Sequence, residues 1–255
     1  MVIDIHAHPP PERDGHRDFQ GLIDLARRQG IDRLCMLGRV GENGPDPTPE
    51  QIVLANTETM DAVKAYPDDL VGFAYLNPAH DPAFIRDEMD RTLATGTLRG
   101  IKLWVAVNAR DARLDTVMTH AGDLGVPVLH HAWYKTVGLV YNESSPADIA
   151  CLARRFPQVP IIMAHLTGCG CRGVADVQDC PNVLVDTSGS QPEQGIVEWA
   201  VAQLGAERLV YGSDVVGRDF GTQIGRVLGA RLTARQRDLI LGGNACRLLR
   251  LEATR

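Results

Sequence analysis

The sequence predicts a closed (β/α)8 barrel of the TIM type, parallel-stranded, with extra helices at its C-terminal end. Three observations carry this. Apolar runs of strand length alternate with segments of helical periodicity, giving eight β-then-α units without a break. The length of 255 residues suits such a barrel, which typically takes about 250 residues. An open doubly wound sheet usually carries a glycine-rich phosphate loop after its first strand, where this chain has His6-Ala-His-Pro-Pro-Pro11.

The elements follow in order. The first apolar run, 2–5, leads to a helical segment at 19–29 that stops before Gly30, and the second run, 33–37, leads to a helix at 49–65. Run 71–76 precedes a helix at 82–94, which opens on Asp81-Pro82 and stops before Gly96. Run 100–105 precedes a helix at 112–124, closed by Gly125; run 126–130 precedes a helix at 146–156, opened by Ser145-Pro146. Runs 160–164 and 183–185 precede helices at 172–179 and 192–204, and the eighth run is 208–211. Helices at 218–229, 233–241 and 244–251 complete the chain. No linker, repeat or low-complexity stretch interrupts it, so one domain spanning 1–255 is expected. The longest loops, 9–18 and 38–48, follow strands 1 and 2 and fall on the C-terminal rim, where barrel enzymes keep their sites.

Composition narrows the function. A hydrophobic content of 44% supports a sizeable core. The net charge of −6 comes from interspersed residues with no basic block, which argues against nucleic acid as a partner. No apolar run approaches the roughly 20 residues needed to cross a bilayer. The chain opens directly on a strand with no signal peptide, so a cytoplasmic protein is expected. Its six cysteines then read as free thiols, and Cys169-Gly-Cys171 with Cys180 matches no common zinc spacing. Barrels of this kind often pair, so a homodimer is admitted.

The chemistry sits at strand ends. In a strand, successive side chains alternate between faces, which puts Asp4, His6 and His8 on one face and Ile3, Ile5 and Ala7 on the other. Two imidazoles spaced this way can converge on one metal ion. Lys102 lies on strand 4, His130-His131 ends strand 5, His165 ends strand 6, and strand 8 runs into Ser213-Asp214. Alternation lets only one of His130 and His131 face the lumen, and periodicity alone does not choose. Asp4 is expected either to orient a ligand or to be a buried structural carboxylate. Arg39, Arg172 and Arg218 follow strands 2, 6 and 8 as candidate anion binders, against a background of solvated surface arginines. Lys102 is read as an ammonium held inside the barrel or paired with a substrate anion. Trp104 and Trp133 lie where they can wall a pocket for a planar substrate. Lys102, Arg39 and Trp133 are taken as the substrate-binding candidates. His16, His80 and His120 read as surface or packing histidines.

Asp4-Ile-His-Ala-His8, Gly100-Ile-Lys-Leu103, Pro127-Val-Leu-His-His131, Ala164-His-Leu-Thr-Gly168, Tyr211-Gly-Ser-Asp214 and Gly243-Asn-Ala-Cys-Arg-Leu-Leu249 together resemble the amidohydrolase superfamily. The likeness is greatest to the amidohydrolase-2 branch that includes aminocarboxymuconate-semialdehyde decarboxylase, and it covers nearly the whole chain. The resemblance implies one divalent ion, zinc foremost with manganese or iron as alternatives, held by His6, His8, His131 and Asp214. It favours His131 over His130, and it implies His165 and Asp214 as the catalytic pair. Lys102 matches a lysine that some branches carbamylate to bridge two ions, which this mononuclear-looking branch need not do.

The implied reaction is hydrolysis of an amide, ester or lactone carbonyl in a small, carboxylated substrate by a metal-activated water. Two alternatives stand beside it: non-oxidative decarboxylation of a carboxylated aromatic or muconate-like substrate, and a non-catalytic barrel with a vestigial site. Against the last, no need of stability preserves a set of rim imidazoles.

Overall fold

The computed structural model describes residues 1–135, 138–191 and 193–252. Eight strands form one sheet in sequence order: β1 (Ile3–Ala7), β2 (Arg33–Met36), β3 (Leu70–Tyr75), β4 (Leu98–Leu103), β5 (Val128–His130), β6 (Ile161–Met163), β7 (Val183–Asp186) and β8 (Leu209–Val210). Every paired neighbour is parallel. Backbone bonds close the ring between its first and last strands: Ile5 N–H donates to Tyr211 O at 2.9 Å, Asp214 N–H to His6 O at 2.7 Å, and His8 N–H to Val215 O at 2.6 Å. This is the (β/α)8 barrel expected from the sequence.

The helices are α1 (Phe19–Arg28), α2 (Pro49–Ala65), α3 (Pro82–Leu93), α4 (Leu114–Leu124), α5 (Pro146–Arg155), α6 (Leu166–Asp176), α7 (Ile196–Leu204), α8 (Phe220–Leu228), α9 (Ala234–Asp238) and α10 (Asn244–Leu249). Local chemistry starts them. Asp18 and Asp81 accept first-turn N–H groups of α1 and α3, while Thr48 with Gln51 and Ser145 with Asp148 form reciprocal caps on α2 and α5. Helix α6 begins six residues before its expected start at 172, immediately after His165, because non-helical turns at Thr167 and Gly170 break its periodicity. The expected start of α7 at Pro192 lies outside the described residues.

Two apolar layers result. Ile3, Ile5, Cys35, Leu37, Val71, Phe73, Leu129, Ile162, Leu184 and Val210 pack together inside the barrel, with Ala245 and Leu249 of α10 joining them. Asn244 Nδ2 donates to Ala206 O and Leu209 O, both at 2.7 Å, which seats α10 under the N-terminal end of β8. The alternate strand residues, such as Leu34, Ile101 and Val128, pack outward against the helices.

This arrangement corrects the reading of strand 1. Ile3 and Ile5 point into the barrel, so Asp4 does not share a face with His6 and His8. Asp4 Oδ1 accepts the backbone N–H of His6 at 3.0 Å and that of Ser213 at 2.9 Å. A side chain that takes an N–H two residues on competes with the ladder. The β1–β2 register accordingly slips between Asp4 and Ala7, and the slip turns His6 and His8 towards the mouth. Asp4 is left fully buried outside the lumen, with burial pushing its carboxyl up to about 7.

Phe73 fills the barrel beside β4 because β4 has no side chain at Gly100. A Cβ there would lie 2.7–2.9 Å from three ring atoms of Phe73. Gly100→Ala is expected to destabilise the fold by about 1–3 kcal/mol through overpacking. Urea unfolding checks this, and Phe73→Leu in the same chain should recover part of the loss.

Candidate active site

The C-terminal ends of the strands enclose a cavity of about 520 Å3. His6 and His8 reach it from β1, Lys102 from β4, His131 from just past β5, His165 from just past β6, and Asp214 from beyond β8. The rings form one cluster: His165 has its centroid 4.9 Å from that of His6 and 4.9 Å from that of His131, and His6 and His8 are 5.3 Å apart. His165 and Asp214 both hold left-handed backbone, with φ of 70° and 62°. Non-glycine residues in this region cost of order 1–3 kcal/mol and concentrate at functional sites. Backbone bonds fix both turns: His165 N–H donates to Asp186 Oδ1 at 3.1 Å, and Asp214 N–H donates to His6 O.

The donor set fits a divalent ion. His6 Nε2 and His8 Nε2 each lie 3.4 Å from Asp214 Oδ1. Two ligand atoms placed tetrahedrally at about 2.1 Å from one ion are about 3.4 Å apart. Nδ1 of His6 is 2.8 Å from Asp186 Oδ2, so it carries the proton and Nε2 keeps its lone pair. Burial pushes His6 down to about 4, which keeps the ring neutral and able to ligate. Burial also opposes the charge on Asp214, but the His8 hydrogen bond and the nearby His6 and His165 hold its carboxyl below the usual range.

His131, the fourth ligand implied by the resemblance, lies outside this convergent group of His6, His8 and Asp214. It lines the same cavity with Nε2 2.7 Å from Glu143 Oε1 and Nδ1 3.1 Å from His165 Nε2. His130 is fully buried and does not line the cavity. Burial lowers both His131 and His165.

The cavity wall is mixed. Trp104 and Trp133 supply aromatic surface, and Lys102, Lys135 and Arg218 supply cations. Lys102 is 1% exposed, its Nζ is 3.5 Å from His6 Nε2, and burial pushes it down to about 8. Arg218 Nε is buried with no partner among the described residues. Gly168 lets Trp133 lie against the chain after β6, since a Cβ there would come within 2.7 Å of its ring.

Arg39 is placed differently from its expected role. It is not among the cavity's described lining residues. Its guanidinium grips Glu58 of α2 at 2.6 and 2.9 Å, and Arg17 holds the same carboxylate at 2.8 Å and Glu42 at 2.7 and 2.9 Å. These pairs fasten the two long rim loops to α2, and they commit the Nε and Nη2 side of the Arg39 guanidinium to Glu58. Arg218 is the strand-following arginine at the cavity. Arg172 instead stacks on Tyr134, 4.4 Å from the ring centroid.

Three polar groups of the site carried no clear signal in the sequence. Glu143 comes from the loop before α5; burial would raise it, yet His131 and Lys135 hold it at about 2. Asp186 and Ser188 lie fully buried behind His6 and His165. The polar run Asp186-Thr-Ser188 closing an apolar strand was the available hint.

Convergent imidazoles and a carboxylate at the mouth of a parallel barrel are the arrangement of an enzyme with a candidate site for a divalent ion. The chain belongs to the amidohydrolase family, whose model matches residues 3–251. No curated protein matches the chain significantly. Among solved structures, 5-carboxyvanillate decarboxylase from Sphingomonas paucimobilis superposes with a TM-score of 0.76 at 15% identity, covering 98% of this chain and 99% of that one. A dihydroxybenzoic acid decarboxylase from a Polaromonas species, with bound manganese and the inhibitor 2-nitroresorcinol, gives 0.79 at 16% identity, covering 99% and 98%. A putative 2-pyrone-4,6-dicarboxylic acid hydrolase from Pseudomonas putida gives 0.69 at 20% identity, covering 99% and 98%. Likeness at these identities establishes the fold. Among the described residues, no helix is long and apolar enough to cross a membrane.

Proposed function

We propose that this protein is a metal-dependent hydrolase acting at a carbonyl of a small, planar, carboxylated substrate. The observation that carries the reading is the grouping of His6, His8 and Asp214 beside His165 on the floor of a cavity lined by cations and indole rings. His6, His8 and Asp214 would hold one divalent ion, with His131 next to them. Zinc suits this donor set best, with manganese or iron as alternatives. The bound ion supplies an acidified water and polarises the carbonyl.

The chain's own groups do the rest. Asp214 would accept a proton from the attacking water. His165, whose ring centroid lies 4.9 Å from that of His6, would hold the nucleophile or take the proton on from Asp214 and deliver it to the leaving atom. Lys102 and Arg218 neutralise a substrate carboxylate, and Trp104 and Trp133 bracket its flat body. Arg39, paired with Glu58, would steady the rim loops. Lys102 serves as a free ammonium.

A second reading, non-oxidative decarboxylation, is favoured by the decarboxylase names among the structural relatives. The same residues would then bind a phenolic acid and deliver a proton to ring carbon. Products separate the two. Zinc- and manganese-loaded protein is incubated in 18O-labelled water with lactone dicarboxylates and with hydroxybenzoates. Hydrolysis puts 18O into the product and releases no CO2. Decarboxylation releases CO2 and places solvent hydrogen on carbon. Absence of both from the fully loaded protein across these classes sinks the reading.

A further inference from the structure

A single buried carboxylate stands behind two working histidines. Asp186 is fully buried at the end of β7. Its Oδ2 lies 2.8 Å from His6 Nδ1. Its Oδ1 accepts the N–H of His165 at 3.1 Å and that of Ser188 at 2.9 Å, and also accepts the Ser188 hydroxyl. Ser188 Oγ in turn lies 2.9 Å from His165 Nδ1.

Donor counting fixes the protons. An ionised carboxylate only accepts, so His6 must present Nδ1–H to Oδ2, leaving its Nε2 lone pair towards Asp214. Ser188 has one hydroxyl proton, and it is spent on Oδ1. Ser188 Oγ therefore accepts, and His165 must present Nδ1–H to it. His165 Nε2 is then left facing His131 Nδ1, 3.1 Å away at the cavity wall, and because Glu143 takes the Nε2–H of His131 this contact needs one further proton or a cation between the two nitrogens. One carboxylate sets the tautomer of both rings, directly for His6 and through Ser188 for His165. The backbone bond from His165 N–H ties the left-handed turn to the same oxygen. His6, His165 and Asp186 also offer three donor atoms close enough for an ion. Hydrogen bonds within the trio and to Ser188 already use Nδ1 of both histidines and both carboxylate oxygens, which makes this trio a support.

We propose that Asp186 and Ser188 are positioning residues: Asp186 aims His6 at the metal and, through the Ser188 hydroxyl, aims His165 at the substrate. This rests on the reading of His6 as a ligand and His165 as acid or base. Partners of this kind typically contribute 10–100-fold to metal affinity or activity.

The first test needs no metal and no substrate. Imidazole 15N spectra of the metal-free protein at pH 7 should place the proton of both His6 and His165 on Nδ1, with assignments from His6→Ala and His165→Asn. A proton on Nε2 of His6 overturns the proposal. The second test separates the two branches in folded holoenzyme. Asp186→Asn should weaken zinc affinity by about 10–100-fold against a competing chelator. Ser188→Ala should leave zinc affinity at the wild-type level and lower kcat by about tenfold or more with KM unchanged. If Asp186→Asn fails to fold, Ser188→Ala still decides: equal loss of zinc affinity and kcat, or no loss of either, refutes the division of roles. His6→Ala is titrated alongside. Zinc retained in His6→Ala overturns the metal reading and this proposal together. Zinc lost there but fully kept in Asp186→Asn overturns this proposal alone.

Discussion

His6→Ala and Asp214→Asn are expected to lose the bound ion. Affinity should fall by more than about 100-fold, because residues that only support a ligand already contribute roughly 10–100-fold. The two changes test different things. His6→Ala removes one of two nitrogens that sit 3.4 Å from Asp214 Oδ1. Asp214→Asn keeps the side-chain shape and removes the charge, and asparagine accepts the left-handed backbone at this position far better than alanine does. A change in metal content then reports ligation and not a distorted turn. The measurement is metal per chain by inductively coupled plasma mass spectrometry after dialysis, with turnover followed in parallel. Full metal retention in both variants refutes the site.

His165→Asn is expected to do the opposite: keep the ion and lose about 10²–10⁴-fold of turnover, the usual contribution of a positioned acid or base. His165 shares the floor of the cavity with His6, yet it is not one of the three groups that converge on Asp214 Oδ1. Its Nδ1 is engaged by Ser188 and its Nε2 faces His131. Asparagine again suits the φ of 70°. Metal content, melting temperature and kcat are measured on one preparation. Near-wild-type kcat at full occupancy would remove His165 from the mechanism. Loss of metal would make it a ligand instead.

The fold was legible because barrel strands buried on both faces read as apolar runs, and the punctuation between them is chemical: Ser145-Pro146 opens α5 and Gly125 ends α4 as the sequence implied. The strand-end histidines were legible because imidazoles have no packing reason to recur there. What escaped depended on contacts that no local pattern encodes. Strict alternation misassigned Asp4, whose carboxylate captures the N–H of His6 and shifts the strand. Arg39 and Arg218 looked equivalent as residues following strands. Only Glu58, delivered from α2, distinguishes them by occupying Arg39. Glu143 and Asp186 meet their histidines across 12 and 180 residues of chain. Ser188 meets His165 over 23 residues, with a strand between them.

The slip in β1 divides one short strand into two independent halves. Below it, Ile3 and Ile5 answer only to the shape of the interior, and above it, His6 and His8 answer only to the ion. Because a one-residue change of phase swaps the faces of a regular strand, a continuous β1 would tie these demands together. With the phase change anchored on Asp4, the interior of the barrel can drift or be redesigned while the histidines keep their aim. The same carboxylate is therefore a position where β1 should tolerate substitution poorly, although it does not line the cavity.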